Sequence, residues 1–369
     1  MSNESKLGDA GTLRMGKVVW LVEPSRLVNR VTLEQTEKMP TNPPLLSIIL
    51  PTYNRLSFLP AALQSIRDQE FTDWELVIVD DGSTDATLEH LPEITKGIGQ
   101  STCVVQQENQ GAYGARNSGL ENASGKYIAF FDSDDLWRPY HLKDCVNALT
   151  THEDVDWVYG ACKLIDTVKQ SVVSENSFYV NGQPRPFMKL PRRREDSLNI
   201  ITAEPQEAAC CQIKHGFYSG LQNSVIRKKV FDSYRFESAI RNEAEDQIAV
   251  IRSALAGHTF AYFDKVHVDY SIHLTNSSSA GSEINPERKE RVTKAMIRGF
   301  ETLLHDLQAF PLAQKSLRRH LSDLYFWNLG YVIYGNAKNK QRQRESFIKG
   351  LRLSPTSINK WKTLFLNFF

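Results

Sequence analysis

Cysteine is scarce in this chain: five in 369 residues, an odd number with no repeated spacing. A disulfide framework is therefore excluded as the staple of the fold, and the thiols read as reduced and mostly buried. Cys210, Cys211 and His215 offer three ligands where a structural zinc takes four. Long apolar runs are also missing. Nothing approaches the ~18–20 residues that span a bilayer, and Val18-Val19-Trp20-Leu21-Val22 is too short for the apolar core of a signal peptide. The expectation is a soluble, cytoplasmic chain. Charge of one sign is absent as well: 44 Lys and Arg stand against 43 Asp and Glu, a net charge of +1. That balance gives no electrostatic case for nucleic acid as a partner. Three familiar devices do not occur. There is no G-x-x-x-x-G-K-[ST] phosphate loop. Gly111, Gly114 and Gly119 do not match G-x-G-x-x-G, and Gly216-Phe217-Tyr218-Ser219-Gly220 misplaces the serine of a G-x-S-x-G elbow.

What is present is an ordinary globular composition, 41% hydrophobic and 24% charged, in a chain long enough for more than one domain. Residues 1–43 are polar, end in a Pro-rich stretch and read as a flexible leader with one short strand at 17–22. From residue 44 apolar runs alternate with helical spacing. Leu45–Leu50 is a short Ile/Leu run stopped by Pro51, the pattern of a strand buried on both faces. Phe58, Leu59, Ala62, Leu63 and Ile66 then recur as on a helix. The plan repeats with a strand in 74–81, a helix from about Asp85 to Leu91, a strand at 103–105, a helix over 112–122 and a strand in 125–131. Such alternation implies a Rossmann-like, mostly parallel α/β sheet flanked by helices. Strand-like text continues at 155–175, the stretch 176–215 reads as irregular, a helix is expected over 241–257 and a strand over 260–273. From 286 to 369 the periodicity becomes helical, a C-terminal helical region after an α/β domain of residues 44–285. The Arg192-Arg193-Arg194 run reads as a solvated loop face, with contact to an anionic ligand as the sharper alternative.

Ligands of such sheets bind beyond the carboxyl ends of the strands. Here every strand ends in polar residues: Thr52-Tyr53-Asn54, Asp80-Asp81, Asn109, and Asp132-Ser133-Asp134. One such end is a helix cap; four together are a site. The last follows directly on Ile128-Ala129-Phe130-Phe131, so carboxylates crowd where a buried strand emerges. Two acids spaced Asp-x-Asp can share a hard divalent cation, Mg²⁺ or Mn²⁺, which relieves their repulsion and leaves positions open for a diphosphate.

The segments "SIILPTYNR" (47–55), "VIVDDGSTD" (77–85), "ENQGAYGARNSGLENASGKYIAFFDSDD" (108–135) and "EAEDQIAVIRSALAGH" (243–258) together resemble the successive motifs of glycosyltransferase family 2. The resemblance covers about residues 45–275. It implies the GT-A fold and transfer of a sugar from a nucleotide-diphosphate donor with inversion, to a saccharide or lipid-linked saccharide acceptor. By that resemblance Pro51, Thr52 and Tyr53 line the base and ribose pocket. Tyr53 stacks on a pyrimidine, which favours a UDP-sugar. Asp81 accepts from the base and Asp80 supports the loop or ribose. Asn109, Gly111 and Arg116 match N-x-G-x-x-x-x-R-N, in which Arg116 helps hold the nucleotide or neighbouring acids and Asn117 supports the turn. Asp134 is the direct metal ligand, with Asp132 nearer the ribose. Ser133 is counted with the nucleotide-sugar set, although an extended segment would point it the other way. Asp135 is expected to cap rather than ligate.

The resemblance further makes Asp246 the general base, with Glu245 as runner-up or acceptor contact. An inverting displacement needs one base, on the face opposite the leaving nucleotide. A first turn rich in acids also favours the helix dipole, so both readings of 243–246 stand. His273 sits where relatives place a metal- or diphosphate-contacting histidine, or is an ordinary strand-end imidazole. Ser271 occupies a position where the family often has Arg. Two other functions fit such a sheet less well. A nucleotidyltransferase would carry a Gly-rich, basic loop after the first strand, where this chain has Pro51-Thr52-Tyr53-Asn54-Arg55. A non-catalytic nucleotide-sugar module would be expected to lose some of the acids at 132, 134 and 246. Ile358, Trp361, Leu364, Phe365 and Phe368 form one face of the last helix, which either packs on the body or makes a peripheral membrane contact.

Overall fold

The computed structural model describes residues 11–15, 18–22, 29–33, 43–232, 234–237, 244–273 and 285–368. The chain forms two compact units, Met1–Asn147 with Ser224–Ser238, and Ala148–Asn223 with Ala239–Phe369. These units do not divide at 43/44 or 285/286. The helices after residue 286 share a unit with the second half of the α/β region.

The first unit is built on a sheet. Where a leader with one strand was expected, three strands occur: β1 (Gly11–Met15), β2 (Val18–Val22) and β3 (Asn29–Leu33). They are followed by β4 (Leu46–Thr52), β5 (Trp74–Asp80), β6 (Thr102–Gln106), β7 (Tyr127–Phe130) and the two-residue β8 (Leu136–Trp137). β5, β4 and β7 are parallel neighbours, as are β5 and β6. β3 adds antiparallel to the outside of β6. Strand β4 is buried at every residue but Pro51. A strand covered on both faces must be apolar throughout, and that is why Leu46–Leu50 shows no alternation.

Helices α1 (Leu59–Arg67), α2 (Thr87–Ile94) and α3 (Gly111–Asn122) connect these strands, and α4 (His141–Thr151) follows them. In α1 the buried Leu59, Ala62, Leu63 and Ile66 recur at helical spacing, one apolar stripe. Helix α3 approaches β4 so closely that a Cβ on Gly119 would lie 2.2 Å from Ile49 Cγ2. Only glycine permits that approach, and it sets the height of α3 over the sheet.

The second unit centres on β9 (Trp157–Asp166), to which β10 (Ser171–Ser174) pairs antiparallel. The stretch 176–215, expected to be irregular, is largely structured. It holds the hairpin β11 (Tyr179–Val180) and β12 (Gln183–Pro184), a 3₁₀ turn at Pro186–Lys189, strands β13 (Arg192–Glu195) and β14 (Leu198–Ile201), and helix α5 (Pro205–His215). The three arginines therefore lie on an exposed strand rather than a loop. Arg193 pairs with Asp154 at 2.5 Å, and Arg194 donates to the Asp196 carbonyl. This strand pairs antiparallel with β14. After it come β15 (Ser224–Arg227), which belongs to the first unit and runs antiparallel beside β7, then α6 (Glu245–Leu255) and β16 (Phe260–Ile272). β16 runs parallel to β9 and antiparallel to β14, and its register shifts around Val266. Tyr159, Phe178, Phe187 and Tyr262 form the aromatic core beneath, with centroids 5.0–6.2 Å apart.

Helices α7 (Pro286–Asp306), α8 (Pro311–Asp323), α9 (Lys340–Leu353) and α10 (Ile358–Phe368) complete the unit, with a π-helical segment at Leu324–Tyr334 between α8 and α9. Arg252 on α6 ties to Asp306 on α7 through Nε at 3.0 Å and Nη2 at 2.8 Å. Phe326 stacks on Phe347 at 4.1 Å. Among the described residues no helix is long and apolar enough to cross a membrane.

Candidate active site

The strand order β6-β5-β4-β7 steps outward from β4 in one direction and then returns to β4's other side. Such a reversal opens a crevice beyond the carboxyl ends of the two strands where it occurs, here β4 and β7. Pro51, Thr52 and Tyr53 leave one of those strands, and Asp132, Ser133 and Asp134 leave the other. The register keeps the ends level: Thr52 lies opposite Asp80, Asp80 opposite Gln106, and the Phe131 N–H donates to the Ile49 carbonyl at 2.9 Å.

Asp132 to Asp135 form a β-turn closed by the Asp135 N–H donating to the Asp132 carbonyl at 3.0 Å. This corrects the extended segment expected there. The two acids are presented by a turn, and Ser133 is buried within it rather than pointing away from a strand. Asp132 accepts from Arg116 Nη2 at 2.7 Å, with 8% and 30% of the two side chains exposed. Arg116 also lies over the Tyr113 ring. Asp134 meets Arg55 Nη2 at a looser 3.7 Å. Desolvation at the crowded strand end raises the Asp132 carboxyl above the usual range. Arg116 opposes that shift and the neighbouring Asp134 adds to it. Asp135 is buried, as a structural acid would be.

Asp81 is the most heavily engaged acid. Its Oδ1 accepts from Gln107 Nε2 at 2.7 Å and from the Gln110 N–H at 2.8 Å, and its Oδ2 accepts from the Gly111 N–H at 2.8 Å. The carboxylate thus caps the start of α3, where the first N–H groups have no helical partner. Asn109 Nδ2 donates to the Asp81 carbonyl at 3.0 Å. Gly82, at φ +75°, lies where a Cβ would come within 3.1 Å of the Asn109 nitrogen, so the turn requires glycine. Asp80 is wholly buried. Its Oδ2 accepts from the Ser83 N–H at 3.3 Å, and burial raises its carboxyl. Among the described residues, Asp80 Oδ1 and the neighbouring Thr52 Oγ1 are buried with no hydrogen-bond partner. Tyr53 is 44% exposed, an aromatic face turned to solvent beside them.

Further residues shape this edge; of these Asn117 is the one the resemblance makes a support of the turn, and Gln107, Ser118 and Phe236 were not singled out from sequence. Asn54, at φ +53°, accepts through Oδ1 from the Thr84 and Asp85 N–H groups at 2.7 and 3.2 Å, latching the loop after β4 to the loop after β5. Asparagine at a left-handed turn position is its only sequence signal. Gln107 bridges Asp81 and Ser118, whose Oγ donates to Gln107 Oε1 at 2.5 Å. Asn117 exchanges two hydrogen bonds with the Phe236 backbone, at 2.8 and 3.0 Å. Phe236 packs edge-on against Phe130 under the site.

The remaining candidates belong to the second unit. Ala244 adopts a left-handed conformation at φ +66°, and α6 starts immediately after it. Glu245 is fully buried, while Asp246 is half-buried and accepts from the Gln247 N–H at 2.8 Å. His273 lies just past the end of β16, partly exposed.

For a divalent cation the residues of the first unit fit. Asp132 and Asp134 are oxygen donors on one turn, suited to a hard ion; burial first, and the neighbouring Asp134 as well, raise the Asp132 carboxyl, and a bound cation would relieve the repulsion between the two acids.

The glycosyl transferase family 2 model matches residues 47–202. The putative teichuronic acid biosynthesis glycosyltransferase TuaG of Bacillus subtilis is 44% identical over 100 residues, 27% of this chain and 40% of that protein. The succinoglycan biosynthesis protein ExoW of Rhizobium meliloti is 27% identical over 57% of this chain and 64% of its own length. The chain thus spans less than two thirds of these curated relatives. Among solved structures, S. aureus TarS superposes with a TM-score of 0.53 at 20% identity, over 84% of this chain and 49% of that one. The mannosyltransferase PcManGT from Pyrobaculum calidifontis, in complex with GDP-Man and Mn²⁺, gives 0.51 at 16% identity, over 89% and 80%. Both likenesses concern the fold.

Proposed function

We propose, from the match of residues 47–202 to the glycosyl transferase family 2 model, that this chain transfers a sugar from a nucleotide-diphosphate donor to a hydroxyl acceptor. The acceptor is a saccharide or lipid-linked saccharide in polysaccharide or glycoconjugate synthesis. A UDP-sugar is the favoured donor. The observation that carries the reading is the convergence of Thr52, Tyr53, Asp80, Asp81, Arg116, Asp132 and Asp134 on one sheet edge at its topological switch. Tyr53 offers a stacking face for the base. The unpartnered Thr52 Oγ1 and Asp80 Oδ1 suit base or ribose hydroxyls, and Asp81 accepts from a base N–H. Asn109 and Gly111 hold Asp81, and Pro51 ends the strand beneath.

Asp134 and Asp132 would hold Mn²⁺ or Mg²⁺, which when bound stabilises charge on a leaving diphosphate; His273 is a further candidate contact. Arg116 orients Asp132 and compensates its charge. Asp246 takes the proton of the acceptor hydroxyl. The acceptor oxygen forms a bond to the anomeric carbon as the bond from that carbon to the diphosphate oxygen breaks, and the electron pair departs with the nucleotide. A single displacement inverts the anomeric centre. Glu245, which is buried, is the runner-up for that role or an acceptor contact.

Turnover of UDP-, GDP- and dTDP-sugars with Mn²⁺ tests this reading. Asp134→Asn and Asp246→Asn are each expected to lower kcat by at least ~10²-fold. Asp134→Asn alone should also weaken the stabilisation of the fold by nucleotide plus Mn²⁺. Unchanged turnover in both variants would overturn the site.

A further inference from the structure

The last helix divides its apolar residues between two faces. Leu364 and Phe368 turn inward against Phe326, Phe347 and Leu351, with Phe368 edge-on to Phe347 at 5.9 Å. Lys360 on the same side is buried, its Nζ 2.7 Å from Asp323 Oδ1 and donating to Ser322 Oγ at 2.5 Å. These contacts fix the rotation of α10. They leave Ile358 80%, Trp361 51%, Phe365 64% and Leu366 72% exposed. The positions are i, i+3, i+7 and i+8, one side of the helix with the exposed Lys362 at i+4 among them. Trp361 donates its only polar hydrogen to the Pro355 carbonyl at 2.7 Å, so the rest of the indole is presented as apolar surface. Isolated exposed leucines are common on soluble proteins, but four large apolar side chains in register on one helix are a surface built to be covered.

The charge around this stripe identifies what covers it. Residues 335–369 carry eight Lys and Arg against one acid, Glu345, in a chain whose net charge is only +1. All of these cations except Lys360 are exposed: Lys338, Lys340, Arg342, Arg344, Lys349, Arg352 and Lys362. The other 334 residues are therefore net acidic. Apolar side chains beside a concentrated basic segment match a surface with anionic headgroups over an apolar interior. A protein partner would need an apolar patch ringed by acids. The lipid reading needs no such special match.

We propose that α10 docks this chain on an anionic lipid surface, inserting Ile358, Trp361, Phe365 and Leu366 while exposed cations of the segment, Lys362 within the stripe and Lys340 over the Phe368 ring among them, meet the headgroups. The inference does not depend on the transfer reaction, and its readout is lipid binding.

Flotation with vesicles of phosphatidylglycerol and phosphatidylcholine, against phosphatidylcholine alone, is the test. The full chain is expected to float with the anionic vesicles only, and less as salt rises from about 0.1 M to about 1 M, where the Debye length falls from ~10 to ~3 Å. The triple variant Trp361→Ser/Phe365→Ser/Leu366→Ser should lose at least about tenfold in vesicle affinity. Arg344→Glu/Lys362→Glu should lose binding while leaving the four apolar residues intact. Unchanged thermal melting in both variants separates lost docking from lost folding. If the full chain ignores anionic vesicles, binds neutral ones equally, or binds undiminished after the triple substitution, the proposal is overturned. So it is if sedimentation reveals a dimer that the triple substitution dissociates while no lipid binding occurs, which would make the stripe a contact between copies.

Discussion

At the scale of single residues, the site edge is governed by how carboxylates are satisfied. Asp81 takes two backbone N–H groups and a glutamine amide, all donors. Asp81→Asn keeps the size but turns an NH₂ group toward one of those donors. The variant is expected to lose ~1–3 kcal/mol of stability, measured by urea unfolding, together with nucleotide binding. A role limited to contacting the base would leave unfolding unmoved. Asp132 contrasts with it. Its principal partner is a single guanidinium, and burial with a neighbouring acid keeps its carboxyl raised. Asp81 is held by the first N–H groups of α3 and by Gln107, whereas Asp132 faces Arg116 and a neighbouring acid.

At the scale of elements, α3 transmits the sheet to the site. Its first turn is held by Asp81, its middle supplies Arg116 and Asn117, and its far end rests on Ile49 through Gly119. Gly119→Ala would place a Cβ 2.2 Å from Ile49 Cγ2, which lies on a central strand and cannot swing away. An overpacking cost of ~1–3 kcal/mol is expected in a thermal or urea melt, with weaker nucleotide binding as α3 lifts. The α10 stripe belongs to this scale too: two contacts inward and four side chains outward define an element that is anchored yet half uncovered.

At the scale of the whole molecule, stability carries a pH dependence that is separate from the acids of the site. His141 is fully buried, and burial pushes its imidazole down to about 3. In the unfolded chain it returns to an ordinary ~6.5. Below that value the unfolded state binds a proton that the fold refuses, so stability falls as pH drops from ~6.5 toward about 3. Urea unfolding is expected to show about 2 kcal/mol lost by about pH 5 from this group, with a slope approaching ~1.4 kcal/mol per pH unit. In His141→Gln that part of the slope should vanish, whatever the variant's stability at neutral pH.

Much of this was legible from the order of residues. Parallel strands covered on both faces must be apolar along their length, so Leu46–Leu50 and Tyr127–Phe131 stand out. Polar residues follow because a strand emerging from the core has to meet water or a ligand. Local pattern therefore located β4 to β7, the helices between them, and the acids at their ends. It failed over 176–215, where β13 is three arginines and a glutamate. Strand formation there depends on pairing with β14, a neighbour that periodicity does not reveal. It also set Asp132 and Asp134 on an extended segment, where a hydrogen bond between two backbone groups makes a turn. What the sequence determined by itself is which residues are apolar, acidic or basic and with what period, and hence the α/β order and the identity of the acids. Only the tertiary structure decided which acid holds the start of α3, which faces Arg116, and which half of α10's apolar residues faces inward. Each of those outcomes is set by a partner distant in sequence, and no local spacing encodes it.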